Sequence, residues 1–362
     1  MILWFLPVIL ALGILTSYTD IKHGKVKNKH LFFALLYGII AYTIIIFINL
    51  GYVRIDYFTE LTINCTFALV VGFIIWYVGL WTAGDAKLFF TYSFLIPLST
   101  YRYGYVPYFS STNILINTLI PMFLFLLAVL LFKTSLRQKA YFFKNAFKPK
   151  RVLQLVIFLF AFGWIITLLF SLFKIPPDYF LMILILFIFM TLLEKVVSIN
   201  IFKIVIVISI LRFALDRSIY SIEFLYWFLF MVLMFVILRF FVISMGFHIF
   251  TKEVDIALLQ KGMIPAEGVY KEKDRYKKQA FRFYTLLNYL SEKTKKRDYL
   301  FESTSEGLTE KDVKKLKNLE KKLGFEHLRV QQTIPFAPYM FLGVLLTIIF
   351  QGNAFLALVF LF

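Results

Sequence analysis

Long apolar runs dominate this sequence and constrain its fold more than any other feature. About 20 consecutive apolar residues are enough to cross the hydrocarbon core of a bilayer as a helix. Hydrophobic residues make up 60% of the chain, against about half in soluble domains. The sequence therefore predicts an all-α polytopic membrane protein with about ten transmembrane helices. The runs that reach or approach this length lie at 2–19, 31–50, 61–81, 86–98, 113–132, 152–173, 179–197, 200–218, 221–246 and 335–362.

The basic residues test this topology independently. The formal net charge is +18, and cytoplasmic loops of membrane proteins carry an excess of lysine and arginine. The loop at 20–30 and the stretch at 133–151 are rich in basic residues, whereas the linkers at 51–60, 99–112 and 174–178 carry at most one each. An N-terminus outside the cell therefore places every basic loop in the cytoplasm. We expect the basic stretch to bind anionic lipid headgroups and not nucleic acid.

The segment 247–334 differs in composition, with many charged residues and only short apolar runs. Two helices are predicted in it, at 273–296 and at 310–323. The second follows Thr309, which has the spacing of a capping box. The alternating pattern at 327–332 predicts a strand. We therefore expect a small α+β cytoplasmic domain before the last transmembrane helix.

Two carboxylates stand out, because charged residues are costly to hold in a bilayer. Asp20 ends the first apolar span and Asp85 begins the fourth, so the topology puts both at the cytoplasmic edge of the membrane. Two adjoining carboxyl groups in a protein interior share one proton, since repulsion and desolvation oppose a second charge. The ionised group can activate a water while the protonated one polarises a peptide carbonyl, which is aspartic-protease chemistry. Gly84 and Ala86, on either side of Asp85, permit a close approach of backbone or substrate.

Other interpretations of these aspartates remain open at this point. An aspartate at the end of a span is often an interface residue or a helix N-cap. A secondary transporter would use the carboxylates to carry protons or cations, although transporter sites usually lie at the midplane of inverted repeats, and no repeat is visible here. A structural subunit of a membrane assembly would tolerate the loss of both aspartates.

The sequence predicts no cofactor and no metal site. A single cysteine, Cys65, excludes an intramolecular disulfide framework and a four-cysteine zinc module. His23 and His30 lie in a basic loop without a third ligand.

Five sequence blocks resemble the prepilin peptidases, the GxGD class of intramembrane aspartyl proteases. TAGDAK resembles the Gly-x-Gly-Asp-x-Lys signature, and SYTDIKHGKVKN resembles the first aspartate motif of the family. The later blocks resemble the C-terminal part of archaeal preflagellin and prepilin peptidases. In chain order the blocks are SYTDIKHGKVKN (17–28), TAGDAK (82–87), GMIPAEG (262–268), GLTEKDVKKLKNL (307–319) and IPFAPYMFLG (334–343).

The resemblance implies a membrane endopeptidase that removes a short basic leader from type IV pilin-like precursors at the cytoplasmic face. Asp20 and Asp85 would be the catalytic pair. Lys87 and Asn28 occupy motif positions and would support the site. Glu253, Asp255 and Glu267 are candidates for contact with a lysine-rich leader, with an ordinary solvated surface as the alternative.

The chain also departs from the family pattern. Thr82 stands where the signature has its first glycine, and Lys27 stands where the first motif has a proline. The residues at 133–246 add a basic loop and about four spans, a length that resembles the euryarchaeal prepilin-specific branch. Arg212 and the pair Glu194–Lys195 interrupt these added spans, either as a polar pathway or as residues that pair internally or reach the helix ends.

These observations divide the chain into five predicted parts. They do not indicate an oligomeric state. The parts are a transmembrane bundle with both aspartates (1–132), a basic cytoplasmic loop (133–151), additional transmembrane helices (152–246), a cytoplasmic soluble domain (247–334) and a C-terminal transmembrane helix (335–362).

Overall fold

Apolar helices make up most of the structure, with a small sheet region late in the chain. The computed structural model describes residues 1–48, 55–78, 80–173, 179–196, 201–237, 250–272, 275–280, 300–301, 307–331 and 334–361. The helices are α1 (Ile2–His23), α2 (Asn28–Ile48), α3 (Ile55–Val78), α4 (Ala83–Leu95), α5 (Thr112–Lys133), α6 (Leu136–Ala146), α7 (Pro149–Leu172), α8 (Tyr179–Val196), α9 (Ile201–Leu215), α10 (Ile222–Phe235), α11 (Glu310–Leu323), α12 (Ala337–Ile349) and α13 (Ala354–Leu361). The strands are β1 (Thr251–Asp255), β2 (Ile264–Pro265), β3 (Glu267–Glu272), β4 (Arg275–Ala280) and β5 (His327–Gln331).

Five helices within the described residues are long and apolar enough to cross a membrane. They confirm a helical membrane protein, whereas the count of ten spans stays a prediction. Shorter apolar helices occur at Leu181–Met190, Ile222–Phe235 and Ala337–Ile349. The five candidate spans are Ile2–His23, Asn28–Ile48, Ile55–Tyr77, Thr112–Lys133 and Val152–Leu172.

The chain divides into two compact units, and the first comprises Met1–Phe125 and Ile334–Phe362. In this unit α4 packs against α1, α2, α3 and α12, and α1 packs against α2 and α12. Small residues allow these helices to approach closely, as is common in membrane bundles. A side chain at Gly13 would overlap the ring of Phe341, and one at Gly343 would overlap Thr118. The short helix α4 is therefore held among four neighbours.

The predicted single helix at 335–362 is two helices in the structure, α12 and α13. Gly352 adopts a φ of 133°, which is unfavourable for residues with a side chain. Asn117 of α5 bonds both sides of the break. Its Nδ2 donates to the Gly352 carbonyl oxygen at 2.8 Å, and its Oδ1 accepts from the Ala354 amide at 3.0 Å. The break forms because a buried amide side chain on another helix replaces the lost helical hydrogen bonds.

The second compact unit comprises Leu126–Thr333. Its helix α7 packs against α8, α9 and α10. The stretch predicted as a basic loop at 133–151 contains the helix α6, whose N-cap Ser135 accepts a hydrogen bond from the Gln138 amide. The predicted loop is thus partly helical, because Ser135 and Gln138 form a capping box.

The same unit contains a three-stranded sheet in the order β1-β5-β2 and a hairpin of β3 and β4. The predicted helix at 310–323 and the predicted strand at 327–332 are confirmed by α11 and β5. The predicted helix at 273–296 is wrong over Arg275–Ala280, where β4 pairs antiparallel with β3. The remainder of that prediction lies outside the described residues. A shared apolar core includes Ile256, Val269, Leu308, Leu316 and Leu328.

Candidate active site

Asp85 lies in the first turn of α4 and is 4% exposed. Its Oδ2 accepts hydrogen bonds from the Thr82 amide at 2.9 Å and from the Thr82 hydroxyl at 2.7 Å. The Thr82 hydroxyl oxygen in turn accepts from the Asp85 amide at 3.3 Å. The two residues thus form a reciprocal capping box that starts the helix. Thr82, the departure from the family signature, is the residue that holds the Asp85 carboxyl group in place.

Asp20 lies in the last turn of α1 and is 8% exposed. Its Oδ2 accepts a hydrogen bond from the amide of Ala337, the first residue of α12, at 2.9 Å. No side chain of α12 itself caps this end of the helix. A carboxylate at a helix N-terminus satisfies an otherwise unpaired amide and interacts favourably with the helix dipole. Asp20 therefore caps a helix that begins 317 positions further along the chain.

The two aspartates belong to one packed group of helices, since α1, α4 and α12 contact one another. They are close enough for the charge of Asp20 to act on Asp85. The Trp81 ring lies 5.2 Å from the Phe336 ring and 5.6 Å from the Phe89 ring. These aromatic side chains flank the starts of α4 and α12. The structure thus brings the two predicted aspartates together in a buried environment.

The other motif residues lie around the start of α4. Lys87 Nζ donates to Asn28 Oδ1 at 3.3 Å, so these two predicted site residues contact each other. A side chain at Gly84 would meet Val26 at 3.1 Å, which shows that the loop after α1 lies against this turn. Ala86 faces Gly72 of α3, where an added Cβ would lie 3.3 Å from the Ala86 side chain. Gly84 and Ala86 therefore allow close packing of a loop and a helix onto α4.

A cavity of about 300 Å³ lies between α3 and α4, beside the turn that carries Asp85. Its wall is apolar apart from Lys87. It is lined by Leu69, Phe73, Trp76, Ala83, Ala86, Lys87 and Phe90.

The family model of the archaeal peptidase A24 C-terminal domain matches residues 227–327. This match supports assignment of the chain to the archaeal prepilin peptidase family. The matched region includes the blocks at 262–268 and 307–319, while the two aspartate motifs lie outside it. No curated protein and no solved structure matches the chain.

Three acidic residues were predicted to meet a basic leader, and each has a partner within its own unit. Glu253 Oε1 accepts from Arg329 Nε at 3.3 Å, and Asp255 bonds His327. Glu267 is 8% exposed and accepts from the Arg329 amide at 3.3 Å. The first two contacts join the neighbouring strands β1 and β5, and the third joins the hairpin to β5, so the three carboxylates have a structural use. Contact with a leader stays a prediction.

Sequence reasoning missed two members of the site. The role of Thr82 was signalled by its position three residues before Asp85, which is capping-box spacing. The role of the Ala337 amide had no signal in the sequence, because a backbone group carries no residue type. Within the part of the chain that the structure describes, no three His, Cys, Asp or Glu residues lie together as metal ligands.

Proposed function

We propose that this protein is a membrane aspartic endopeptidase that removes the short basic leader of type IV pilin-like precursors at the cytoplasmic membrane face. The observation that carries the proposal is the pair of buried aspartates on α1 and α4, two helices that contact each other and α12. The family match supports a peptidase. The aspartate pair adds the aspartic type of mechanism.

In this mechanism Asp20 and Asp85 share one proton. The ionised carboxylate takes a proton from a water, which attacks the scissile carbonyl carbon, and the protonated carboxyl group donates to the carbonyl oxygen. Anchoring through Oδ2 holds each side chain in one orientation, by Thr82 for Asp85 and by the Ala337 amide for Asp20. Such fixed geometry contributes to catalysis because the reacting groups need no further ordering.

The substrate in this proposal is a precursor with a basic leader followed by an apolar helix. Peptide carbonyls in a helix accept hydrogen bonds from the amides four residues on, so the segment at the cleavage point must unwind. The stretch at 133–151 is basic and would repel the leader, so we place the leader away from it. The branch specific for prepilins remains our preferred assignment, because of the added helices α7 to α10.

A secondary transporter is the alternative. The broken helix at the α12–α13 junction is the feature nearest to a transporter site. The backbone groups that this break leaves without helical partners, however, are bonded by Asn117. Both aspartates lie at helix ends, which favours the peptidase.

The test is cleavage of a pilin precursor by membranes that contain Asp20→Asn or Asp85→Asn. We expect each change to lower the cleavage rate by at least about a hundredfold, because general acid–base catalysis contributes about 10²–10⁴-fold. Asp56→Asn serves as the control, since Asp56 is an exposed acid in the first turn of α3. Protein levels must be equal on immunoblots. Cleavage that survives either dyad change would exclude this mechanism.

A further inference from the structure

Arg212 is a buried cation within the added helices, and its charge is neutralised inside the unit. Its Nε donates to Asp216 Oδ2 at 3.0 Å, and its Nη1 donates to the Phe160 carbonyl oxygen at 2.6 Å. The guanidinium group also lies over the rings of Phe160 and Phe224, at 4.6 and 4.7 Å from their centroids. The internal pairing that the sequence offered as one alternative for Arg212 is thus confirmed.

A cavity of about 390 Å³ adjoins this ion pair. Aromatic side chains form much of its wall, including Trp164, Phe224, Trp227 and Phe228. Its polar end includes Glu223, an exposed residue in the first turn of α10. The cavity volume suits a small organic molecule, since ligand sites usually measure about 300–1,000 Å³.

The charges around the cavity favour a cation. Arg212 and Asp216 cancel each other as an ion pair. Among the lining residues that the structure describes, Glu223 is the remaining charged side chain, and it forms no salt bridge with another described residue. Aromatic rings attract cations through the negative face of the π-system, most strongly for tryptophan. A metal ion is a poor fit, because hard cations require several oxygen ligands at once.

We propose that this cavity binds an organic ammonium group, either of a free alkylammonium molecule or of a lipid headgroup. Glu223 supplies the countercharge. The rings of Trp164 and Trp227 supply the aromatic wall, and Met182 and Met231 contact the alkyl part. The site involves neither aspartate of the proposed peptidase. Its test is therefore independent of that function.

The test compares choline with its uncharged isostere 3,3-dimethyl-1-butanol, both titrated into the full-length protein in maltoside micelles. Tryptophan fluorescence and calorimetry report binding. We expect saturable choline binding at least about tenfold tighter than binding of the isostere, because the cation–π and ionic contributions act on choline alone. Equal affinities, or flat titrations by both methods, would overturn the proposal.

Variants assign the binding to the cavity. Glu223→Gln should weaken choline binding about tenfold, because it removes the charge and keeps the shape, and should leave the isostere unaffected. Asp56→Asn, the loss of a comparable first-turn acid on α3, should change neither affinity. Unchanged choline binding by Glu223→Gln would place the ligand elsewhere and refute the site.

Two lipid environments separate the sources of the ammonium group. In nanodiscs of phosphatidylglycerol, choline binding should persist. If phosphatidylcholine nanodiscs suppress it, the lipid headgroup occupies the cavity. If they leave it unchanged, the cavity takes the free cation.

Discussion

Thr82 occupies the position where the family signature has its first glycine, and its hydroxyl and amide groups both bond Asp85. A glycine there would keep the amide donor and lose the hydroxyl. The added hydroxyl orients the carboxyl group more strongly than a glycine would. A departure from the family pattern is therefore compatible with the proposed role of Asp85.

We predict that Thr82→Ala lowers the free energy of unfolding by about 1 kcal/mol, because a helix loses its N-cap. The cleavage rate per folded enzyme should also fall, since Asp85 loses an orienting donor. Thr82→Ser should retain both properties. Thermal unfolding in micelles and precursor cleavage are the measurements.

Thr309→Ala is the matched control, because Thr309 and Asp312 form the same capping box at the start of α11. It should lower stability by a similar amount and leave the cleavage rate of the folded enzyme unchanged. A fall in cleavage of equal size in both variants would contradict an orienting role for Thr82.

For individual residues, the sequence predicted the roles of side chains but not those of backbone groups. Asp20 and Asp85 were recognisable because each is a charge at the end of an apolar run. The capping role of Thr82 followed a spacing rule that also predicted the Thr309 box correctly. The Ala337 amide was not predictable, since it depends on how α12 packs against α1.

Among the elements, the junction between α12 and α13 differs most from its prediction. The apolar run at 335–362 is long enough for one span, and hydropathy does not register a local change in φ. The signal was present in the sequence as Gln351, Gly352 and Asn353, which are polar or flexible residues inside an apolar run. The break is held by Asn117 together with backbone hydrogen bonds from Arg102 and Tyr103.

We predict that Asn117→Leu lowers the free energy of unfolding by about 2–6 kcal/mol, because it leaves the buried Gly352 carbonyl and Ala354 amide without these partners. Denaturant unfolding in micelles measures the change. Asn318→Ala, an exposed position on α11, should stay within about 0.5 kcal/mol of the unchanged protein. Equal stability of the two variants would show that Asn117 does not support the junction.

The hairpin of β3 and β4 differs from its prediction in another way, since residues predicted to be helical form a strand. The residues of β4 include Arg275, Lys277 and Lys278, which are common in helices. Pairing with β3 supplies the backbone hydrogen bonds instead. The tertiary partner, absent from any local pattern, decides the conformation.

For the whole molecule, the distribution of basic residues predicts which side of the membrane each loop faces. Cys65 is the single cysteine of the sequence and is buried. In a Cys65→Ser background, each newly introduced cysteine is therefore the one thiol available for labelling. Lys25 and Arg102 are exposed residues in loops of opposite predicted side.

We predict that Arg102→Cys reacts with a membrane-impermeant thiol reagent in intact cells, whereas Lys25→Cys reacts only after the cells are permeabilised. The reason is that Lys25 belongs to a lysine-rich loop, which is retained in the cytoplasm. Ser218→Cys extends the test to the added helices, where the ten-span topology places it outside. Labelling of Lys25→Cys in intact cells would reverse the proposed orientation of the active site.

The bond between Asp20 and Ala337 has a consequence for the order of events during synthesis. Asp20 leaves the ribosome early, while its partner amide follows 317 residues later. The nascent chain therefore carries an uncompleted site until the intervening residues have been translated. The proposed peptidase acquires its final site geometry only when α12 has been inserted.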